Sequence, residues 1–198
     1  NDTDYHPFEI WTNMTSTIGP LDELWYRLFA AVSRCNRALA SLEKYGNSKL
    51  GATVTAQRIA EVKFLRAHFY YKLITVFRKV PWIDEEVFKN NTQEKTPNDA
   101  LTYQQLYEKI IADFKTAYDV LPETQSERAR AHKIAAASYL AKCYLDLAWG
   151  DGYEQTTGVS HINPTDMQKV IDYTDAVVGS NYGYLEDYGD IFLPEHKN

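Results

Sequence analysis

Cysteine is scarce, two in 198 residues, too few for a disulfide framework, so cysteine usage does not reveal a redox compartment. No run of Lys and Arg forms a basic stripe. The 21 basic side chains are outnumbered by 27 acidic ones, for a net charge of −6, and this argues against nucleic acid as a partner. No apolar run approaches the about 20 residues of a membrane-spanning helix. The opening stretch NDTDYHPFEIW lacks the pattern of a signal peptide, which says nothing about where the protein works. No period-2 strand of any length is visible. G-x-S-x-G, P-loop and G-x-G-x-x-G patterns are missing. The five histidines (His6, His68, His132, His161 and His196) are scattered, with no H-E-x-x-H and no i, i+4 pair to hold a metal. No catalytic residue, metal site or cofactor is therefore assigned.

What is present is helical. The first expected helix runs from about Leu21 to Tyr45, with Pro20 at its first turn, Asp22 and Glu23 at its positive end and Gly46 as C-cap. Leu24, Leu28, Ala31, Cys35, Ala38, Leu39 and Leu42 share one face. The second spans about Thr55 to Lys79 and stops because Pro81 pushes Val80 out of the α region. A third opens on the capping-box pattern Thr102–Gln105 and ends before Pro122, with a stripe of Leu106, Ile110, Phe114, Ala117 and Leu121, and Asp113 beside it. The fourth, about Ala131 to Trp149, is rich in small residues that let helices approach closely. The fifth starts at a second capping-box pattern, Thr165–Gln168, and finishes at Gly179.

The second helix decides the architecture. Between Ile59 and Ile83 it carries five Phe or Tyr residues among its aliphatics. Val62, Leu65, Phe69, Leu73, Val76 and Phe77 make one stripe, and Ala60, Phe64, Ala67, Tyr71 and Ile74 make another. At about 100° per residue these point to nearly opposite sides, so the helix is expected to be covered by helices on both. Stacked antiparallel hairpins provide that. The expected fold is all-α, an irregular tetratricopeptide-like stack of helical hairpins of the α-solenoid type. The helix pairs are longer than the roughly 34-residue tetratricopeptide unit. One helical-repeat domain over 1–198 is expected: an N-terminal loop at 1–20, pairs at 21–79 and 102–149, and the first helix of a third pair at 165–179.

Polar and aromatic residues mark candidate sites. Glu61 and Arg66 sit among apolar neighbours, where a buried ion pair, with each other or with further partners, fixes helix register. Arg128 and Arg130 precede the fourth helix, at an end where its dipole disfavours cations; a partner carboxylate, a contact surface or a solvated loop each explain them. Cys35 and Cys143 read as small buried hydrophobes, and the sequence does not decide whether they pair. His68 reads as a packed side chain. Rings outside the helices resemble a sugar-binding surface, where C–H faces pack on rings and nearby amides or carboxylates take hydroxyls. Tyr5, Phe8 and Trp11 precede the first helix with Asn13 beside them. Trp82, Trp149, Tyr153, Tyr182, Tyr184 and Tyr188 lie at helix ends or in loops. The alternative for each is that the ring caps the helical stack.

The segment AEVKFLRAHFYYKLITVFRKVPWI resembles a helix of the SusD/RagB family of outer-membrane nutrient-binding lipoproteins, through Glu61, Phe64, Leu65, Arg66, Ala67, Tyr70, Leu73, Phe77, Val80 and Pro81. Ala60 and Arg78 stand where that pattern has Gly, and Trp82 where it has an aliphatic. LWYRLFAAVSRCNRAL is similar to the preceding family helix through Trp25, Cys35, Asn36 and Leu39. YEKIIADFKTAYDVLP, RARAHKIAAASYLAKCYLDLAWG and DYGDIFLPEHKN resemble later segments in order. The resemblance implies a tetratricopeptide-like framework and a surface-exposed, lipid-anchored outer-membrane lipoprotein. Such a protein binds an oligosaccharide or polysaccharide without catalysis and works with a SusC-like TonB-dependent outer-membrane transporter. Family members are much longer, so this chain is expected to be a portion of one. By position, Tyr5, Trp11 and Asn13 are the candidate ligand-binding residues. Two other readings are weighed: a helical-repeat scaffold binding a peptide or protein partner, and an enzyme. The last needs two carboxylates roughly 5–9.5 Å apart across a cleft, and Asp and Glu here spread along solvated helix faces.

Overall fold

The computed structural model describes residues 6–10, 12, 15, 18–92, 95–127, 129–150, 162–183, 187, 189 and 190. Its helices are α1 (His6–Ile10), α2 (Gly19–Ser41), α3 (Asn47–Leu50), α4 (Ala52–Phe77), α5 (Glu85–Lys89), α6 (Tyr103–Val120), α7 (Lys133–Trp149) and α8 (Pro164–Val178). No strand occurs among the described residues. α4 packs between α2 and α6, and α7 between α6 and α8, so the all-α stack of hairpins is present.

The helix ends follow their local chemistry, with three departures from expectation. Thr102 and Gln105 form the expected reciprocal capping box on α6. At α8 the box is replaced: Asn163 Oδ1 accepts from the backbone N–H of Thr165 (2.9 Å) and Asp166 (3.2 Å), with Pro164 at the first helical position. An Asx cap directly before proline satisfies the free donors earlier than Thr165 could. α7 begins after His132, whose Nδ1 accepts from Ala135 N–H at 3.3 Å. Gly46 does not end the first helix. α2 continues through a π-turn, Leu42–Gly46, into α3, and Gly51 (φ 80°) makes the break. Gly46 is needed for space, because a Cβ there would lie 2.4 Å from Thr55 Cγ2.

The two-sided burial of α4 is real, but one face differs from the expected stripe. Phe64 and Tyr71 turn to α6 and α7, making edge-to-face pairs with Phe114, Tyr107 and Tyr139. The opposite face runs through Arg66, Tyr70, Leu73 and Phe77, with Tyr70 against Phe29 and Phe77 against Trp25 of α2. Leu65 and Val76, assigned to that side from hydrophobicity, are 43% and 46% exposed. A face that includes a guanidinium and a phenol hydroxyl is invisible to a purely apolar period. Each ring pair adds about 0.5–1.5 kcal/mol beyond area burial. Ala60, Ala67, Ala136 and Ala137 are fully covered, and these small residues let the helix axes approach.

α4 closes abruptly. Arg78 has φ 65° and ψ −71°, and Lys79 N–H donates to Phe77 C=O at 2.8 Å, a γ-turn of the rarer, strained hand. Its guanidinium carbon lies 4.6 Å over the Tyr103 ring, a contact that offsets part of the strain. Arg78→Gly is expected to raise unfolding stability by about 0.5 kcal/mol, since glycine adopts positive φ freely. Urea denaturation checks this, and a loss of stability would mean that the contact with Tyr103 outweighs the strain.

Candidate functional site

Arg66 is the polar centre of the core. Its side chain is 4% exposed, as is expected only of a fully partnered guanidinium. Nε and Nη2 donate to Asp113 Oδ2 (2.7 Å) and Oδ1 (3.0 Å), a bidentate pair to α6. Nη1 donates to Asn36 Oδ1 of α2 at 3.0 Å and to Glu85 Oε2 at the start of α5. Asn36 Nδ2 in turn donates to Ile83 C=O (2.7 Å), and Ile83 N–H donates to the Tyr70 hydroxyl (2.6 Å). Trp82 stacks on Tyr70 with ring centroids 4.2 Å apart. The segment after Pro81 is thereby folded back onto α2 and α4.

Burial opposes charge on Arg66, but the hydrogen bonds and charges of Asp113 and Glu85 reverse this and hold the guanidinium ionised. Burial raises the Asp113 carboxyl, against the pull of Arg66 and Lys63. For Glu85, burial also pushes upward, and the Arg66 hydrogen bond and charge carry it below its ordinary 4.5. A carboxyl depressed in the folded state adds stability that is present above the unfolded value and lost as pH falls through the folded one. The Glu85 contribution to denaturant stability is therefore expected to be lost as pH falls below about 4.5, while the raised Asp113 carboxyl acts in the opposite direction. Glu85→Gln is expected to remove part of that dependence, and an unchanged pH profile would show that the Glu85–Arg66 contact does not contribute.

Glu61 does not pair with Arg66; the two belong to separate clusters. Glu61 accepts from Arg58 (2.8 Å), Arg130 (3.2 Å) and Gln125 (3.1 Å), fastening the α6–α7 connection to α4. Of the three explanations open for Arg130, the structure shows a partner carboxylate, Glu61, and Arg130 also pairs with Glu127. Arg128 lies outside the described residues. Sequence reading missed Glu85. The signal for a cluster was nonetheless present: Asp113 lies three residues from Ile110 and four from Ala117 on the buried face of α6, and a carboxylate there demands partners. Cys35 and Cys143 are free, buried thiols. Burial lifts the Cys35 thiol to about 11, which keeps it protonated and unreactive. His68 packs edge-on against Phe69 and Tyr139, a structural role. Among the described residues no group of His, Cys, Asp and Glu could hold a metal.

The loop aromatics divide. Tyr5, Trp11 and Asn13 lie outside the described residues, as do Tyr153, Tyr184 and Tyr188. Trp82 is 7% exposed and belongs to the core; its indole N–H donates to Asp84 at 3.3 Å. Trp149 and Tyr182 are 45% and 48% exposed. Tyr182 stacks on His132 at 4.8 Å and 9°, and burial holds that imidazole below its ordinary 6.5, uncharged at neutral pH. Beside the stack is a concavity of about 480 Å³ that also takes in Thr124, Gln125, Glu127 and Asn181. Gln125 is pinned by bonds to Glu61 and to Ala131 C=O (2.7 Å). A ring bordered by amides, a hydroxyl and a carboxylate can pack a sugar C–H face and exchange hydrogen bonds with its hydroxyls.

Comparison with known proteins gives one consistent family. The family model of SusD-like proteins, described as starch-binding associating with outer membrane, matches residues 4–145. A SusD-like protein P2 from Formosa agariphila is 32% identical over 130 residues, 64% of this chain and 24% of that protein. The starch-binding protein SusD of Bacteroides thetaiotaomicron is 29% identical over 144 residues, 72% of this chain and 23% of that protein. A crystal structure with xylogluco-oligosaccharide superposes with a TM-score of 0.71 at 22% identity, covering 90% of this chain and 34% of the other; that likeness is one of fold. The chain spans about a quarter of the length of these two relatives.

Proposed function

This chain belongs to the SusD-like family of starch-binding proteins that associate with the outer membrane, and we propose that it is part of a non-catalytic glycan-binding component of an outer-membrane uptake system. The supporting observation is the family match across residues 4–145, which takes in α2, α4 and α6 and most of α7. The names of its relatives agree in chemistry: one is a starch-binding protein, and one similar structure contains a xyloglucan fragment. Binding of this kind needs no reacting group. It uses ring faces and hydroxyl hydrogen bonds, weak at each site and strengthened when several sites hold one polymer.

In this reading the protein is lipid-anchored at the cell surface and acts with a SusC-like TonB-dependent transporter, the helical repeats forming one domain that serves as scaffold and docking surface. No described helix is long and apolar enough to cross a membrane. Tyr5, Trp11 and Asn13 contribute a ring-and-amide ligand surface ahead of α2. A second reading, a scaffold that holds a peptide, is favoured by one feature: an apolar hollow of about 190 Å³ between Trp25, Phe29, Pro81, Ile83 and Phe88.

Calorimetry of the chain against maltoheptaose, laminarihexaose and a xyloglucan oligosaccharide tests the proposal. Saturable binding to at least one is expected, with Trp11→Ala weakening it by about tenfold or more, as loss of a stacked ring does. Absence of binding to all three, together with capture of a peptide, would put the scaffold reading in its place.

A further inference from the structure

A second concavity lies away from the Tyr182 stack, in the trough between α6 and the start of α8, with the end of α7 as its floor. Its volume is about 710 Å³, inside the roughly 300–1,000 Å³ range of small-molecule sites. Gln104, Glu108, Ile111 and Lys115 of α6 follow one another at steps of four, three and four, so a single helix face supplies one wall. Asn163 and Asp166 supply the other, and Tyr144 and Leu147 the floor between. α7 packs against both walls, which fixes their separation.

The hydrogen-bonding capacity of this trough is only partly used. Glu108 Oε1 accepts from Gln104 at 3.0 Å, which leaves Oε2 available. Asn163 spends its Oδ1 on the α8 cap, so its Nδ2 donors point to other uses. Lys115 makes no ion pair among the described residues, unlike Lys63 and Lys89. The Tyr144 ring stacks at 5.8 Å and 12° on Tyr173. Tyr144 lines the trough and Tyr173 does not.

We propose that this trough is a second saccharide subsite, taking a neutral oligosaccharide along the α6 face. The inference rests on the glycan-binding reading and adds a location to it. Carboxylates on both walls (Glu108 and Asp166) repel phosphate, sulfate and uronate groups. The same oxygens accept from sugar hydroxyls, Lys115 and the Asn163 amide donate to them, and Tyr144 offers a ring surface for a pyranose C–H face. The apolar lining, Ile111, Ala112, Leu147 and the Tyr103 and Tyr144 rings, is spread over α6 and α7 rather than gathered at one point where the anchoring side chain of a peptide would sit.

The test is an amide-resolved NMR titration of the chain with laminarihexaose and with maltoheptaose, run on the unmodified chain, on Trp11→Ala and on the pair Glu108→Ala/Lys115→Ala. Both residues of the pair are exposed, and circular dichroism verifies that the fold is retained. Saturable shifts at Gln104–Lys115, Tyr144 and Asp166 are expected, persisting in Trp11→Ala and weakened about tenfold in the paired variant. Tyr144→Phe keeps the stack on Tyr173 and is expected to retain the trough shifts. Saturable binding whose shifts fall only outside the trough would overturn this inference and leave the glycan-binding reading standing. No saturable binding to either saccharide would overturn both.

Discussion

The bidentate pair between Arg66 and Asp113 is the constraint from which the rest of the structure follows. Two ionised groups have been taken out of water between α4 and α6, and such a pair gains stability only when its remaining donors are satisfied. Asn36 from α2 and Glu85 from α5 satisfy them. One side chain therefore sets the relative position of four helices, and sliding any of them by a turn would strand a buried charge. Because Asn36 also holds Ile83 C=O, the same network bends the chain after Pro81 back onto the stack. Trp82 is carried inward by that bend, over Tyr70 and 5.5 Å from the guanidinium carbon.

Around this polar centre the packing is aromatic on both sides of α4. Phe114 and Tyr139 lie nearly parallel at 4.9 Å, with Phe64 set edge-on to each. Such interlocked rings leave few alternative arrangements at interior density. The second ionic cluster, around Glu61, extends this order outward to the α6–α7 connection, so Gln125 and His132 are held by the framework although they lie outside the long helices. Both polar concavities, the one at Tyr182 and the trough along α6, thus border rigid elements, the arrangement that keeps a binding surface pre-formed.

Much of this was legible in the residues. Five long helices, the α6 capping box and the two-sided burial of α4 are carried by local propensity and period, which the tertiary structure does not override. On the face toward α2, Leu73 and Phe77 were read from the apolar period, but Arg66 and Tyr70 were missed because their polar atoms hide them from it, and Leu65 and Val76 were included as aliphatics although they are exposed. Asn163 was passed over for Thr165 because both are good caps and only the backbone geometry before Pro164 distinguishes them. Gly46 read as a stop signal, whereas its lack of a side chain serves the contact with Thr55, a residue nine positions on. Glu85 left no periodic trace, since it enters the cluster only after the turn at Arg78 and Pro81 has redirected the chain. The trough along α6 was equally hidden, being formed by residues more than 50 positions apart whose exposed polar character resembles any solvated helix face.

The central claim is that Arg66 and Asp113 act as one unit that fixes the helical stack. A double-mutant cycle with Arg66→Leu, Asp113→Leu and the combined variant, read by urea unfolding, tests it most directly. Each single change strands a buried charge and is predicted to cost about 3–5 kcal/mol, with the combined variant costing far less than the sum. Additive losses, with no coupling between the two positions, would contradict the account.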